Sequence, residues 1–493
     1  MLLYALLLVP VGMGLASLVL PGRRSLQALN GVGAAALLGL SIALLAETSR
    51  GTILSAARGF FRADVLSAWM TLVVSLVSLA ASVYSGGYIG REVAAEPGLT
   101  VRRRRVRLER YYALFDLFIG AMVFVCLVDN LGYLWVAIEA TTLVSVFLVG
   151  YYRRKESVEA AWKYLILCSV GIAFALVGTI LIYYTSVRAV GAARATLSWS
   201  ELATQAPSFH PYLMKLAFVF VLVGYGTKAG LAPLHSWLPD AHSEAPTPVS
   251  ALLSGVLLKC AIYGLLRYHI LSIRCQGPAF SEGLLVFFGL LSIVIAALFI
   301  VIQRNVKRLL AYSSLEHVGI VAVGFGFGGA LGCFGGLFHM MNHALTKSVM
   351  FMTAGTIVER HKTKNMGRIR GVGESQPVTG TLFFAGAMAL AGMPLTSVFM
   401  SELYILRAGF GRGHVVGAVI MLLGLAIVFG GLLSHVTRMV LGRRRGHVER
   451  EPVPWDAVAP PAVLLALVLL LGVTIPRPVA YVLEATSSLF TRP

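Results

Sequence analysis

Residues 220–240 read FVLVGYGTKAGLAPLHSWLPD, and residues 250–267 read SALLSGVLLKCAIYGLLR. Each stretch is a long apolar run with one lysine inside it, Lys228 in the first and Lys259 in the second. A charged side chain near the centre of a bilayer costs at least ~2.5–3.5 kcal/mol and persists only where it is paired or hydrated. The pattern therefore predicts membrane-spanning helices that surround buried ionisable groups.

The composition of the whole chain supports this interpretation. The chain has 493 residues, of which 57% are hydrophobic and 13% are charged, and its mean hydropathy is +0.81. A soluble domain carries about a quarter charged residues, and a membrane-crossing helix needs ~20 mostly apolar residues. These values exclude a disordered or collagen-like chain and predict contact with the lipid bilayer and no nucleic-acid partner.

Fourteen apolar runs of spanning length follow one another along the chain. They cover residues 1–20, 27–46, 64–88, 111–128, 131–150, 160–184, 213–236, 248–270, 283–302, 308–328, 330–356, 379–408, 413–440 and 458–483. The first run lacks a basic region in front of it, so we expect a permanent helix there and not a cleaved signal peptide. The chain is predicted to be an all-α polytopic membrane protein of about fourteen transmembrane helices.

The basic residues, 41 Lys and Arg against 22 Asp and Glu, are concentrated in alternate loops. Loops that follow odd-numbered spans carry most of them, including the runs Arg102–Arg105 and Arg443–Arg445. Such loops face the cytoplasm by the positive-inside rule. The chain is therefore predicted to lie in the cell (inner) membrane with both termini on the outer, periplasmic side.

Two spans contain helix-breaking residues. Gly230 and Pro233 interrupt the seventh span, and Pro394 interrupts the twelfth. Proline removes a backbone donor and clashes with the preceding turn, and broken membrane helices occur where they are buried in protein or line a wet cavity. The recurrence five spans later predicts two inverted five-helix repeats.

The repeats suggest four units along the chain. Residues 1–110 hold three N-terminal helices and a basic loop, residues 111–272 the first repeat, residues 281–441 the second repeat, and residues 442–493 the last helix.

Seven ionisable residues lie well inside six different spans, and we predict that they form a proton path across the protein. They are Glu139, Lys228, Lys259, His317, His343, Lys347 and Glu402. His339, His343 and Lys347 are spaced i, i+4 and i+8 and share one helix face. Histidine suits a relay because it titrates near neutral pH. His235 and His242 flank the loop after the seventh span and are candidates for lining a cytoplasmic entrance.

Some of these residues also have structural explanations. Glu139 and Lys228 could form a static buried ion pair that fixes only helix register, and Lys259 could extend its ammonium group to the surface. The His339–His343 pair could suggest a metal site, but no carboxylate accompanies the pair in sequence and Lys347 would repel a cation. We therefore predict no metal site.

Three further charged residues lie within a turn or two of predicted helix ends. They are Asp116, Lys163 and Arg267. Side chains in such positions usually reach the membrane surface, so we expect all three to do so.

A cofactor is not indicated. The five cysteines contain no CxxC pair, which argues against iron–sulfur, zinc and disulfide frameworks. The only sizeable polar segments, 91–110 and 186–212, are too short for a catalytic domain. We expect a subunit with no cofactor and no redox centre of its own.

Three segments resemble a known family. They are KAGLAPLHSWLPDAHSEAPTPVSALLSGVLLKCAIYGLLR (228–267), NVKRLLAYSSLEHVGIV (305–321) and HMMNHALTKSVMF (339–351). They resemble the antiporter-like membrane subunits of respiratory complex I, of group 4 membrane-bound hydrogenases and of Mrp-type cation/proton antiporters, over about residues 111–410. Within that superfamily LEHVG after AYSS, together with WVAIEATTL and AAWKYLILC, looks most like component F of hydrogenase-4.

The resemblance implies fourteen helices with two inverted repeats and broken seventh and twelfth helices. It also implies roles for the fifth-span acid Glu139, the seventh-span lysine Lys228, the eighth-span lysine Lys259 and the twelfth-span acid Glu402. His317 and His343 match positions of the family's central polar axis. Glu316 departs from the complex I pattern, so it stays open whether Lys347 or Glu316 assists His317.

The resemblance implies a proton-translocating subunit of a membrane-bound hydrogenase or NADH:quinone oxidoreductase type of complex, working with other membrane subunits. Three alternatives stay open at this point. The chain could exchange Na⁺ for H⁺, could belong to an inorganic-carbon uptake pair, or could be a scaffold whose charges are static.

Overall fold

The protein is described here by a computed structural model that covers residues 1–20, 22–443 and 453–491. Arg444 and Arg445 of the predicted basic loop lie outside these described residues. The first ten helices are α1 (Leu2–Ser17), α2 (Arg23–Ser49), α3 (Val65–Ala95), α4 (Val101–Leu127), α5 (Leu131–Val149), α6 (Lys155–Val190), α7 (Trp199–Gln205), α8 (Pro211–Ala229), α9 (Leu238–Glu244) and α10 (Thr247–Leu252).

The second half of the chain continues in the same way. A π-helical segment, Leu253–Leu257, joins α10 to α11. The helices are α11 (Leu258–Gln276), α12 (Ala279–Ile302), α13 (Val306–Phe327), α14 (Gly329–His361), α15 (Val372–Ser375), α16 (Pro377–Leu390), α17 (Ser397–Gly411), α18 (Val415–Val440), α19 (Trp455–Val473) and α20 (Arg477–Ser487).

Among the described residues, eleven helical stretches are long and apolar enough to cross a membrane, and α1 and α16 are shorter apolar helices. The prediction of an all-α polytopic fold is confirmed. The number fourteen, the inverted repeats and the four units remain predictions. Helix ends were predicted less well, since apolarity marks the membrane part of a helix and not its full length: α4 begins at Val101, ten residues before its apolar run.

One small departure from the all-α prediction lies between α2 and α3. Strands β1 (Leu54–Ala56) and β2 (Phe61–Ala63) pair antiparallel, with Leu54 opposite Ala63. The turn between them is tight because Ala57 and Arg58 adopt positive φ values of 51° and 56°. A hairpin this short makes a cap on the bundle and does not change its class.

Two helices are interrupted at the glycine and proline positions of the sequence. The α8 helix ends at Ala229 because Gly230 adopts the left-handed conformation, with φ +80°. Glycine suits this position because another residue would be strained at φ +80°, and its Cβ would lie 2.4 Å from Leu238 Cδ1, which would have to move. The second break separates α16 from α17, and it includes Gly392 at φ +74° and Leu395 at φ +72°.

The helices differ sharply in burial. The most apolar windows of the Thr247–Gln276 stretch and of α13 are 100% buried inside the protein, whereas those of α2 and α18 are only 28% buried. The outer helices therefore present apolar side chains to the surroundings. The Thr247–Gln276 stretch and α13 are enclosed by protein on all sides, and they carry Lys259, Glu316 and His317 of the predicted ionisable residues.

The expectation that Arg267 reaches the membrane surface is wrong. Arg267 is 6% exposed and binds Asp64 with two hydrogen bonds, from Nη1 to Oδ2 at 2.6 Å and from Nη2 to Oδ1 at 2.8 Å. Its guanidinium group also lies 4.3 Å from the centre of the Trp199 ring. The partner acid, 203 residues away in sequence, was not visible in the local pattern. The same expectation is wrong for Asp116, which is fully buried.

Asp64 caps α3 by accepting the Ser67 backbone N–H at 2.9 Å. Burial raises the pKa of Asp64, but the Arg267 guanidinium and the Ser67 N–H lower it more, and the net result is a pKa of about 2. A carboxyl whose pKa is depressed on folding stabilises the protein above its unfolded pKa of ~3.9. That contribution is lost only as the pH falls through about 2, so Asp64 stays ionised near neutral pH and takes up no proton there.

We expect Arg267→Met to lower the free energy of unfolding by about 3–5 kcal/mol, because the substitution leaves Asp64 buried without a counter-ion. Lys163→Met is the control, since Lys163 is half exposed and exposed ion pairs such as those with Glu159 and Asp240 contribute little to stability. Denaturation of the detergent-purified variants measures both values. Equal losses in the two variants would contradict the structural role of the pair.

Candidate functional site

The first member of the predicted row, Glu139, lies on α5 and is only partly buried. Its Oε1 accepts a hydrogen bond from Ser169 Oγ on α6 at 2.6 Å, and its Oε2 accepts one from Thr142 Oγ1 at 3.3 Å. The neighbouring α5 residues Val136 and Leu143 are 45% and 50% exposed. Glu139 therefore sits at the outer edge of the protein, within an apolar face.

Lys228, in the last turn of α8, is fully buried. Its Nζ donates to Thr142 Oγ1 at 2.6 Å and to Tyr164 OH at 2.8 Å. The Thr142 hydroxyl thus joins Lys228 to Glu139. A direct ion pair between these two residues is absent from the described residues, so the static-pair alternative is wrong in its simple form.

Aromatic side chains continue from Lys228 toward the centre. The Tyr164 and Trp237 rings lie 4.8 Å apart, and the Trp237 and His242 rings lie 6.0 Å apart. His242, on α9, is fully buried, and its Nδ1 lies 2.8 Å from the Leu238 carbonyl oxygen while its Nε2 lacks a hydrogen-bond partner. His235 is only partly buried, in the break between α8 and α9. Of the two predicted entrance residues, only His235 therefore reaches the surface.

Lys259 is 1% exposed, which excludes the alternative that its ammonium group reaches the surface. Its Nζ donates to the Ser254 carbonyl oxygen at 2.6 Å. Ser254 lies in the π-helical segment Leu253–Leu257. A π-helical turn breaks the regular pattern of backbone hydrogen bonds, and here it makes a carbonyl oxygen available to a lysine five residues further on.

Lys347, on α14, is fully buried and bonds to α13. Its Nζ donates to the Leu310 carbonyl oxygen at 2.5 Å and also contacts Ser313 Oγ. Lys259 and Lys347 lie close enough to interact electrostatically, and His242 interacts with both. The three groups come from α11, α14 and α9, so only the folded bundle brings them together.

Three histidines form a stack in the centre of the second half. The His317 ring, on α13, lies 4.4 Å from the His343 ring and 5.1 Å from the His339 ring. His317 Nδ1 and His339 Nε2 are 2.9 Å apart, which is hydrogen-bond distance, and His339 Nδ1 lies 2.9 Å from Ser401 Oγ. Both ring nitrogens of His343 and the Nε2 atom of His317 are buried without a hydrogen-bond partner.

Glu402, on α17, closes the row at its other end. It is 5% exposed, and one of its carboxylate oxygens lies within 4.8 Å of ring nitrogens of His317 and His339. A Cβ on Gly392 would lie 2.3 Å from Glu402 Oε2, so the break between α16 and α17 makes the space that this carboxylate occupies.

The sequence argument against a metal site rested partly on the absence of a carboxylate near the histidines. That premise is wrong, because the α17 break brings Glu402 to His317 and His339. Two histidine nitrogens and a carboxylate oxygen can bind a transition metal. His317 Nδ1 and His339 Nε2 already lie at hydrogen-bond distance from each other, however, which is the geometry of a shared hydrogen. The prediction of no metal stays untested.

Glu316, next to His317 on α13, is a second predicted residue of this cluster with an unpartnered polar atom. It is 2% exposed, and its Oε2 atom makes no hydrogen bond. It interacts electrostatically with Glu402 and with Lys347. These contacts leave open which of Lys347 and Glu316 assists His317.

The sequence analysis missed the neutral residues that connect the charged ones. They are Thr142, Tyr164, Ser169, Ser254, Ser313 and Ser401. Serine, threonine and tyrosine are common in membrane helices, and their burial in a row depends on which helices pack together. Position offered a weak signal in one case, since Thr142 follows Glu139 by three residues and so lies on the same helix face.

The comparison with protein families decides the membership of this chain. The model of the NADH:quinone oxidoreductase/Mrp antiporter transmembrane family matches residues 128–428, which is more than half of the chain. This chain belongs to that family. The match contains every residue of the row from Glu139 to Glu402, and the predicted resemblance is confirmed.

Individual relatives support this family membership. The chain is 40% identical over 388 residues to a hydrogenase-4 component F homolog from Methylacidiphilum infernorum (isolate V4), covering 78% of this chain and 80% of the relative. It is 29% identical over 420 residues to NADH-quinone oxidoreductase subunit N from Desulforudis audaxviator (strain MP104C), covering 83% and 79%.

A chain from the structure of the membrane-bound sulfane sulfur reductase, an archaeal respiratory membrane complex, superimposes with a TM-score of 0.87. The two chains are 25% identical, and the match covers 99% of this chain and 98% of that one. The protein described here is therefore an antiporter-like membrane subunit of the kind found in complexes related to complex I.

We expect Gly392→Ala to lower the free energy of unfolding by ~1–3 kcal/mol, because alanine is strained at φ +74° and its Cβ would displace Glu402. The loss should be smaller in a Glu402→Ala background, since the shortened side chain removes the clash and leaves only the backbone strain. Gly411→Ala is the matched control, because nothing lies within 4 Å of the point that a Cβ would occupy there. Denaturation midpoints of the four variants give the values, and an equal loss in both backgrounds would show that Glu402 does not lie against Gly392.

Proposed function

We propose that this chain transfers protons through the membrane along the row from Glu139 to Glu402, driven by electron transfer in partner subunits. The observation that carries the proposal is the row itself: ionisable side chains on α5, α8, α11, α13, α14 and α17, all buried except the partly buried Glu139, with hydroxyl groups and aromatic rings beside Glu139 and Lys228. Burying so many titratable groups in a membrane protein is costly, and such rows mark proton relays.

Glu139 suits the role of the input group. It is partly buried in an apolar outer face, whereas Lys228, Lys259 and Lys347 are almost completely enclosed. A neighbouring subunit docked on this face would alter the charge near Glu139 directly. The Thr142 hydroxyl is hydrogen-bonded to both Glu139 and Lys228. A change in charge near Glu139 would therefore strengthen or weaken the hydrogen bond between Thr142 and the Lys228 ammonium group.

The energy requirement is modest. Moving one proton against roughly 150–200 mV takes about 3.5–4.6 kcal/mol. A tenfold change in proton affinity corresponds to ~1.4 kcal/mol, so a change of about a thousandfold at Lys228 would suffice. Lys228 is buried and held by two hydroxyl groups, and the loss or gain of one charge nearby has a large effect in such surroundings.

The second half of the row suits onward transfer and exit. Lys259 and Lys347 are held by carbonyl and hydroxyl oxygens, with no carboxylate bonded to either in the described part of the chain. Either ammonium group can therefore release its proton without leaving a bonded acid unpaired. The stacked histidines offer unpartnered nitrogens to receive that proton, and Glu402 lies next to the stack. The route would run from Lys228 by Lys259 to the histidines and leave at Glu402.

The relatives support the proposed partners. Proteins named hydrogenase-4 component F homolog and NADH-quinone oxidoreductase subunit N are parts of redox complexes. We infer that this chain assembles with other membrane subunits of such a complex in the cell membrane, with both termini on the outer side. Electron transfer would then take place in the partners, because this chain offers no cysteine framework for a redox centre.

Sodium–proton exchange is the principal rival, since the family includes Mrp antiporters. The row holds three buried lysines, which donate hydrogen bonds and repel metal cations, and hard cations need several oxygen ligands. This favours protons over Na⁺. Proton uptake by vesicles containing the complex should therefore proceed at the same rate in sodium-free and sodium-containing buffer. A rate that falls to the uncoupled background without sodium would favour exchange.

Lys228→Ala should abolish coupled proton uptake while the complex still assembles, because the link between Glu139 and the rest of the row passes through this ammonium group. The matched control is Lys215→Ala, which removes an exposed lysine on the same helix. Proton uptake per electron transferred, in the complex reconstituted into vesicles, is the measurement.

Unchanged uptake in the Lys228 variant would refute the proposed path. The scaffold alternative makes a different prediction, namely that neutralising single residues of the row lowers stability and leaves the ratio of protons to electrons unchanged. Denaturation and uptake measured on the same variants separate the two.

A further inference from the structure

Asp116 is an acid that the row does not use. It lies on α4 and is fully buried against α1 and α2, in the N-terminal part of the chain. The match to the family model begins at residue 128 and does not include this position. Glu139, the nearest member of the row in sequence, lies on α5 and forms its own contacts with α5 and α6.

The hydrogen bonds to Asp116 are few and long. Ser17 Oγ and Asn30 Nδ2 both approach Oδ2, each at 3.4 Å. The other carboxylate oxygen, Oδ1, is buried with no hydrogen-bond partner, and so is the Oδ1 atom of Asn30. In the described part of the chain, no lysine, arginine or histidine forms an ion pair with Asp116.

Two unpartnered acceptor oxygens in one buried cluster point to a missing donor. An ionised carboxylate and an amide oxygen can only accept hydrogen bonds, whereas a protonated carboxyl group also donates one. A single hydrogen ion on Asp116 removes the buried charge and adds the donor that the cluster lacks. Ser17 and Asn30 approach Oδ2 directly. Helices α1 and α4 also pack closely, since a Cβ on Gly14 would lie 3.1 Å from Ala113 O. Both observations favour a hydrogen ion, which needs no coordination shell.

A polar connection leads from this cluster toward the side predicted to be cytoplasmic. Tyr112 lies one turn before Asp116 on α4, and its buried hydroxyl group also lacks a hydrogen-bond partner. It interacts electrostatically with Asp116 itself, with Arg23 on α2, with Tyr151 just after α5 and with Asp456 on α19. Arg23 is exposed and Asp456 is partly exposed. These are the charged and titratable groups that face the cluster from the packed helices.

We propose that Asp116, supported by Asn30 and Ser17, is a second proton-binding site, separate from the central row and loaded from the cytoplasmic end through Tyr112. The site holds its hydrogen ion at neutral pH and belongs to the N-terminal bundle of α1, α2 and α4. It does not depend on the proposed path through Lys228.

Infrared difference spectroscopy of the assembled complex in membranes tests the proposal. Asp116→Asn should remove one carbonyl stretching band of a protonated carboxylic acid, and the same band in the unmodified protein should shift on exchange into heavy water. Asp116→Glu should retain a band at a shifted frequency. Glu109→Gln is the matched control on the same helix, because Glu109 is paired with Arg105 at 2.6 Å and should contribute no such band.

Two results would overturn the proposal. One is an unaltered spectrum in Asp116→Asn, which would mean an ionised carboxylate. The other is loss of the band when sodium chloride replaces choline chloride, which would mean that a metal cation occupies the site. Lys228→Ala should leave the band in place, so failure of the central path and failure of this site are distinguishable.

A second measurement applies if Asp116→Asn does not assemble. A hydrophobic carbodiimide adds to protonated carboxyl groups in membranes, and the intact reagent remains attached as an acylurea. Mass spectrometry of the unmodified protein should find the adduct on the Asp116 peptide after treatment, whereas the Glu109 side chain should stay unmodified. Absence of the adduct on Asp116 under conditions that label other buried acids would contradict the proposal.

Discussion

The structure depends on how buried charges are held in a membrane. Lys228 is held by two hydroxyl groups, Lys259 by a carbonyl oxygen, and Lys347 by a carbonyl oxygen and a hydroxyl group. None of these ammonium groups is bonded to a carboxylate within the described residues. Neutral oxygens satisfy these donors without adding an opposite charge beside them. The Arg267–Asp64 pair shows the contrast, because two short bonds keep both groups ionised.

Irregular backbone occurs where those charges lie. Gly230 ends α8 two residues after Lys228, the π-helical segment precedes Lys259 and provides the carbonyl oxygen that it needs, and the break at Gly392 makes room for Glu402. Regular helices bond all of their interior backbone groups to themselves and have none left for a side chain. The π-helical segment therefore provides an oxygen to Lys259, and the Gly392 break provides a space for Glu402. This is the physical link between the glycine and proline positions and the ionisable residues.

Much of the row could be predicted from sequence because the membrane makes each of its members conspicuous. An acid such as Glu139 or a lysine such as Lys259 within twenty apolar residues has few structural explanations. Because burying a charge in the membrane costs free energy, such a side chain requires a partner. The prediction failed where the partner lay far away in sequence. Arg267 and Asp116 were expected to reach the surface because each is near a helix end, yet one pairs with a residue 203 positions away and the other is covered by α1 and α2. Proximity to a helix end says nothing about which helix packs over it.

The sequence by itself determined the class of fold, the interrupted helices and the identity of the ionisable residues, because apolar runs, glycine, proline and charge act locally on the chain. Only the tertiary structure decided that Thr142 lies between Glu139 and Lys228, that three histidines from two helices stack together, and that Glu402 reaches them. These contacts depend on how helices pack and turn about their axes. Packing is decided by the side chains of all neighbouring helices at once, and a single stretch of sequence does not contain that information.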